Sequence, residues 1–144
     1  MSAAEAALLG IPAMAVSLTS HTVKDFGPAA SCAVKLAREI ERMGLEPGLI
    51  LNVNVPPIPE DRIRGTVLAH QGKFRYVDDL APHPELKNHY RYVLDSAVEP
   101  AEEHPDSDVA RVQAGYISVT PLHLDWTAKH QFDRFADWSW GEKS

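Results

Sequence analysis

Along the chain the spacing of hydrophobic positions changes several times, and each change predicts an element. Ser2 to Leu9 is rich in strong helix formers, with Ser2 placed to cap it and Gly10 to stop it in a left-handed turn. Ile11-Pro12-Ala13-Met14-Ala15-Val16-Ser17-Leu18 follows as a nearly unbroken apolar run, the pattern of a strand covered on both faces. Thr19 to Phe26 is polar and loop-like, and Pro28 suits the first turn of a second helix. In that helix Ala29, Ala33, Leu36, Ala37, Ile40 and Met43 form an apolar stripe ended by Gly44. From Leu49 to Val55 the period falls to two, with Leu49, Leu51, Val53 and Val55 on one face and Ile50, Asn52 and Asn54 on the other, until Pro56-Pro57. Strand, helix and strand so closely joined predict a right-handed βαβ unit with parallel strands.

Beyond Pro59 the pattern loosens. Ile63 to His70 and Lys73 to Val77 read as short strands around Gln71-Gly72, and Tyr90 to Leu94 as another, with Pro82, Pro84, Pro100 and Pro105 between and after them. This predicts a projecting hairpin arm, which needs a core or another subunit to pack on. Asp106-Ser107-Asp108 caps a short helix over Val109 to Ala114, ended by Gly115. Tyr116 to Thr120 is a strand stopped at Pro121, and Thr127 to Trp138 a last helix bearing Phe132, Phe135 and Trp138. The fold class is therefore α/β: residues 1–59 form core, and residues 60–144 hold the β arm, a late core strand and a C-terminal helix and tail that serve oligomerisation.

Composition narrows the function. The 144 residues carry a net charge of −6, and the cations are scattered, which disfavours duplex nucleic acid as a partner. There is no apolar run of membrane-spanning length and no secretory signal pattern at the start. The lone cysteine, Cys32, excludes an internal disulfide and fits a reducing compartment, so a cytoplasmic location is expected. Cys32 reads as a small core residue.

Candidate chemistry is sparse. Asp78-Asp79 reads as a solvated turn, because adjacent strand side chains point oppositely. The seven histidines form no compact ligand set, and His123 with Asp125 reads as local loop bonding. Asn52 and Asn54 share a strand face and could hydrogen-bond a ligand or a neighbouring loop, but the favoured reading is structural groups satisfying nearby backbone. Ser17, Ser20 and His21 lie at or beyond the C-terminal end of a parallel strand, where open α/β sheets place ligands, and are the candidate substrate-lining residues. No catalytic residue and no metal ligand is assigned.

Three segments carry a resemblance. They are Ala3 to Ser17, Leu51-Asn52-Val53-Asn54-Val55-Pro56, and Ser107-Asp108-Val109 with Ala114-Gly115-Tyr116-Ile117-Ser118-Val119-Thr120-Pro121-Leu122. Their order and spacing resemble the SurE family of metal-dependent nucleotidases. The resemblance implies a Rossmann-type parallel sheet and hydrolysis of nucleoside 5′- and 3′-monophosphates with Mg²⁺ or Mn²⁺. It also implies arms and tails exchanged between subunits of a homo-oligomer, a dimer or tetramer. The family's paired aspartates, its serine and asparagine metal ligands and its Ser-Gly-Thr phosphate turn all precede the point matched by Met1. The chain therefore resembles the C-terminal portion only, is expected to bind no cation specifically and to be inactive alone. The competing reading is a non-enzymatic assembly module or remnant fragment.

Overall fold

The computed structural model describes residues 2–73, 77–95 and 104–139. Helix α1 (Ser2–Leu8) ends where Gly10 takes φ 76°, and leads into β1 (Ala13–Leu18). Helix α2 (Gly27–Met43) then returns the chain to β2 (Leu49–Val55), which pairs with β1 in parallel, Val16 opposite Val53 and Ser17 opposite Asn54. The predicted βαβ unit is present. Its stripe is only partly used: Ala29 and Cys32 are buried and Leu36 packs against the core, but Ala37 and Met43 are exposed. Helix α2 lies over β1, and past Leu36 the described chain offers its apolar positions little cover.

The second half departs further from expectation. Strand β3 (Thr66–Leu68) does not fold back on a Gln71-Gly72 hairpin but joins the core sheet, parallel to the strand Ile117–His123. The arm is instead the pair β4 (Val77–Pro82) and β5 (Tyr90–Asp95), closed by the His83 amide donating to the His89 carbonyl at 2.8 Å. Asp78-Asp79 therefore lies within a strand, opposite Leu94 and Val93, and not in a turn. Of the expected strand Lys73 to Val77, residues 74–76 lie outside the described residues.

Helix α3 (Asp108–Gln113) begins as predicted, the Ser107 hydroxyl accepting from the Ala110 amide at 3.1 Å, a side-chain cap of the usual kind. Strand β6 (Ile117–His123) runs through Pro121 rather than stopping there. Beyond Val119 one side of β6 carries no partner strand among the described residues, the setting in which a proline within a strand is tolerated. Strand β6 lies antiparallel to β2, so the sheet, ordered β1-β2-β6-β3, is mixed and not wholly parallel. The last helix is shorter than the aromatic spacing suggests: a 3-10 turn at Lys129–Gln131 and α4 (Phe132–Ala136), with Phe135 and Trp138 in edge contact at 4.6 Å.

The period-two pattern gives the sheet two unlike faces. Val53 and Val55, fully buried, meet Ile117, Val119, Ala29 and Cys32 on one face. The other face carries Ser17, Asn54 and Ser118 in one cross-strand row and Ala15, Asn52 and Thr120 in the next. This polar face is where the site lies.

Among the described residues strand β1 is an edge strand and only half-buried, so they do not provide the expected cover on both its faces. Beside it Leu8, Leu9 and Ile11 are exposed. A free edge next to exposed apolar side chains favours self-association. Light scattering across a concentration series is expected to show mass growing with concentration, and Leu9→Lys with Ile11→Lys is expected to reduce it. An unchanged mass profile in the double variant would place the contact elsewhere.

Candidate functional site

A cleft of roughly 1000 Å³ opens on the polar face, between the carboxyl ends of β1 and β2 and helix α3. Its lining includes Thr19, Asn52, Asn54, Arg62, Arg64 and Asp108. Each is placed by a local rule. Thr19 follows β1, and its hydroxyl donates to the Val55 carbonyl at 3.0 Å, tying the two strand ends together. Asn52 and Asn54 face the cleft because the inward positions of β2 are taken by Leu51, Val53 and Val55. Arg62 ends a 3-10 turn begun at Glu60, and the Arg64 amide bonds the Gly115 carbonyl at 3.0 Å, which brings the arginine beside the start of β6.

Asp108 holds this wall together. Its side chain is buried beneath the first turn of α3, one carboxylate oxygen accepting from the Gly72 amide at 2.9 Å and the Val109 amide at 2.8 Å. The other oxygen accepts from the Asn54 amide group at 3.3 Å. The Asp108 amide in turn donates to the His70 carbonyl at 2.8 Å, so the loop after β3 is bonded twice to one residue. A buried carboxylate is costly unless such donors surround it. On the same face of the sheet, Ser118 Oγ and Thr120 Oγ1 are buried without a hydrogen-bond partner among the described residues.

Gly115 has φ 83°, and a Cβ there would touch the Arg64 side chain at 3.6 Å and Ile58 at 3.7 Å. Arg64 itself lies over the Tyr116 ring, 4.7 Å from its centre, a cation–π contact that fixes the guanidinium in place.

The sequence candidates lie elsewhere. Ser17 shares the cross-strand row of Asn54 but is exposed, and Ser20 accepts from the amides of Thr22 and Val23 in the turn after β1. His21 is exposed in that same turn, and none of the three lines the cleft. His123 and Asp125 make local loop bonds, as read from the sequence: His123 Nδ1 accepts from the Asp125 amide at 2.9 Å. The Asp125 carboxylate is held well below the usual range by its bonds to Lys129 and Thr127. Cys32 sits in the core as read, and burial pushes its thiol pKa up, which keeps it unreactive.

Asn54 bonds a carboxylate rather than backbone, and Asp108 acts as more than a cap. Arg62 and Arg64 gave no signal by spacing, since only the turn at Glu60–Arg62 and the pairing with Gly115 bring them to the cleft.

Comparison with known proteins decides the lineage. The family model described as "Survival protein SurE" matches residues 1–78. The chain belongs to the SurE family. Among SurE relatives, the 5′-nucleotidase SurE of Symbiobacterium thermophilum is 45% identical over 139 residues, 95% of this chain and 54% of the relative. The 5′/3′-nucleotidase SurE of an Enterobacter species is 37% identical over 130 residues, 90% of this chain and 51% of that one. The crystal structure of the SurE protein from Aquifex aeolicus, 30% identical, superposes with a TM-score of 0.72 over 92% of this chain and 53% of that chain. The chain spans about half the length of the relatives it matches. No helix among the described residues is long and apolar enough to cross a membrane.

Proposed function

We propose that this chain is the C-terminal portion of a SurE-type phosphomonoesterase acting on nucleoside 5′- and 3′-monophosphates. In this reading it supplies the cleft wall and part of the sheet, while a segment N-terminal to these residues supplies the residues that bind Mg²⁺ or Mn²⁺. The observation that carries it is the similarity to nucleotidase relatives over nearly the whole chain together with a cleft at the carboxyl ends of parallel strands, where open α/β sheets bind ligands.

Among the described residues no three His, Cys, Asp or Glu side chains come together in a way that could hold a metal ion. The donors among the described residues thus form no such group for a divalent cation. What the cleft offers instead is charge: Arg62 and Arg64, both in its lining, attract a phosphate. The open edge of β1 and the exposed Leu8, Leu9 and Ile11 support a preceding segment that pairs and covers them. We also place the working protein in the cytoplasm as a homo-oligomer, a dimer or tetramer, in which the β4–β5 arm packs on a neighbouring subunit.

The test is a hybrid in which the N-terminal part of the Symbiobacterium thermophilum relative precedes Met1. With 5′-AMP or 3′-AMP and Mn²⁺ it is expected to release phosphate, and a chelator is expected to stop it. A hybrid that is folded by circular dichroism yet silent on both nucleotides contradicts the nucleotidase reading. The alternative, an assembly module without chemistry, predicts that silence.

A further inference from the structure

The sheet holds a second cavity on its core face, opposite the cleft. Roughly 410 Å³ in volume, it lies between α2 on one side and, on the other, the turn Glu60–Arg62 with the stretch leading into β3. A volume of that order suits a small molecule. Cys32, Leu36, Ile63 and Ile117 line it, and all four belong to the hydrophobic core or pack against it. The cavity arises because α2 lies over β1, whereas β3 is at the far edge of the sheet. Thr66 and Leu68, the register neighbours of the core residues Ile117 and Val119, are exposed there.

The stretch from Glu60 to Thr66 separates the two spaces. Arg62 and Arg64 line the cleft, while Glu60, Ile63, Gly65 and Thr66 line the cavity, and among the described residues none lines both. The cavity is therefore a site of its own and does not depend on the phosphomonoesterase reading.

Charge selects what it takes. Three charged side chains stand in the lining, Lys35, Glu39 and Glu60. Glu39 is bonded to Arg42, whereas Lys35 has no ion pair among the described residues. Of the three, only Lys35 acts on the Cys32 thiol: burial raises the thiol pKa, and the Lys35 ammonium partly offsets that rise. Glu60 is exposed in its turn and leaves the thiol untouched. The charge felt at the apolar lining is positive, so an anion is favoured there.

We infer that this cavity binds a small apolar carboxylate, its hydrocarbon body on Cys32, Leu36, Ile63 and Ile117 and its carboxylate beside the Lys35 ammonium. Burial of the hydrocarbon supplies most of the affinity. An ion pair at an exposed lysine adds little, so it sorts head groups rather than holding the ligand.

The test is an NMR titration of the chain with hexanoate, hexanamide and acetate, read at the Ile63 and Ile117 methyl groups. Hexanoate is expected to shift both signals, hexanamide to bind about threefold more weakly, and acetate to shift neither. Lys35→Met, which keeps an unbranched side chain without the charge, is expected to bring hexanoate down to the hexanamide level and leave hexanamide unchanged. Lys35 is exposed, so the melting curve is expected to stay where it is. Thr66→Phe, at an exposed lining position on β3, fills the space and is expected to weaken both ligands at least about tenfold. Arg62→Ala, across the dividing stretch in the cleft, is expected to change neither.

The lack of any hexanoate-induced shift at millimolar concentration overturns the inference. So does hexanoate binding that is undiminished in Lys35→Met or in Thr66→Phe. A loss confined to Arg62→Ala overturns it as well, because it moves the carboxylate to the cleft.

Discussion

Asp108→Ala is expected to destabilise the fold by about 3 kcal/mol, the scale for leaving several buried donors without their acceptor. Three N–H groups lose their partner at once: the Gly72 and Val109 amides and the Asn54 side chain. Water cannot replace the carboxylate without opening the wall, because Asp108 is only 8% exposed. With a typical urea dependence for a domain of this size, the unfolding midpoint falls by roughly 1.5 M. Asp108→Asn keeps one oxygen for the two backbone amides but turns a donor toward the donor group of Asn54, so an intermediate loss is expected. Asp133→Ala, exposed at the start of α4, is the control and is expected to change little. A midpoint for Asp108→Ala within error of the wild type would show that the loop after β3 is not anchored there.

This residue also shows how far the sequence can be read. Helices α1 and α2 and the parallel pair β1 and β2 are legible because each depends on neighbours a few residues away: a glycine stop, a proline in the first turn, a change of period. The capping of α3 is legible for the same reason. The role of Asp108 is not, since its partners Gly72 and Asn54 lie 36 and 54 residues away. Strand β3 has only three residues and no apolar alternation, so its pairing with β6 is decided by the sheet and not by its own pattern. The direction of β6 against β2 is likewise a tertiary choice. It is this choice that sets Ser118 and Thr120 beside Asn54 and Asn52, and with them the polar face.

The candidate site was half legible. The rule that ligands sit beyond the carboxyl ends of parallel strands pointed to Ser17, Ser20 and His21, and the cleft does open at that end of the sheet. The residues lining it come from β2, the segment before β3, and α3, which the chain order gives no reason to group.

The second large expectation concerns catalysis. Phosphate ester hydrolysis is slow without a metal to neutralise charge and position water, and the described residues assemble no ligand set for one. Arg62 and Arg64 can attract a nucleotide, but attraction shared by substrate and transition state does not speed the chemical step. The chain alone is therefore expected to bind nucleotide weakly and turn over none, whereas the hybrid with the relative's N-terminal part does both. The two should differ by at least about a thousandfold in rate, a modest fraction of what metal-assisted enzymes achieve over the uncatalysed reaction.

The most direct measurement is phosphate release from 5′-AMP by the chain alone and by the hybrid, at equal protein concentration and with saturating Mn²⁺. The account predicts a rate for the chain indistinguishable from buffer and chelator-sensitive turnover for the hybrid. Chelator-sensitive turnover by the chain itself, at a rate near that of the hybrid, would contradict it.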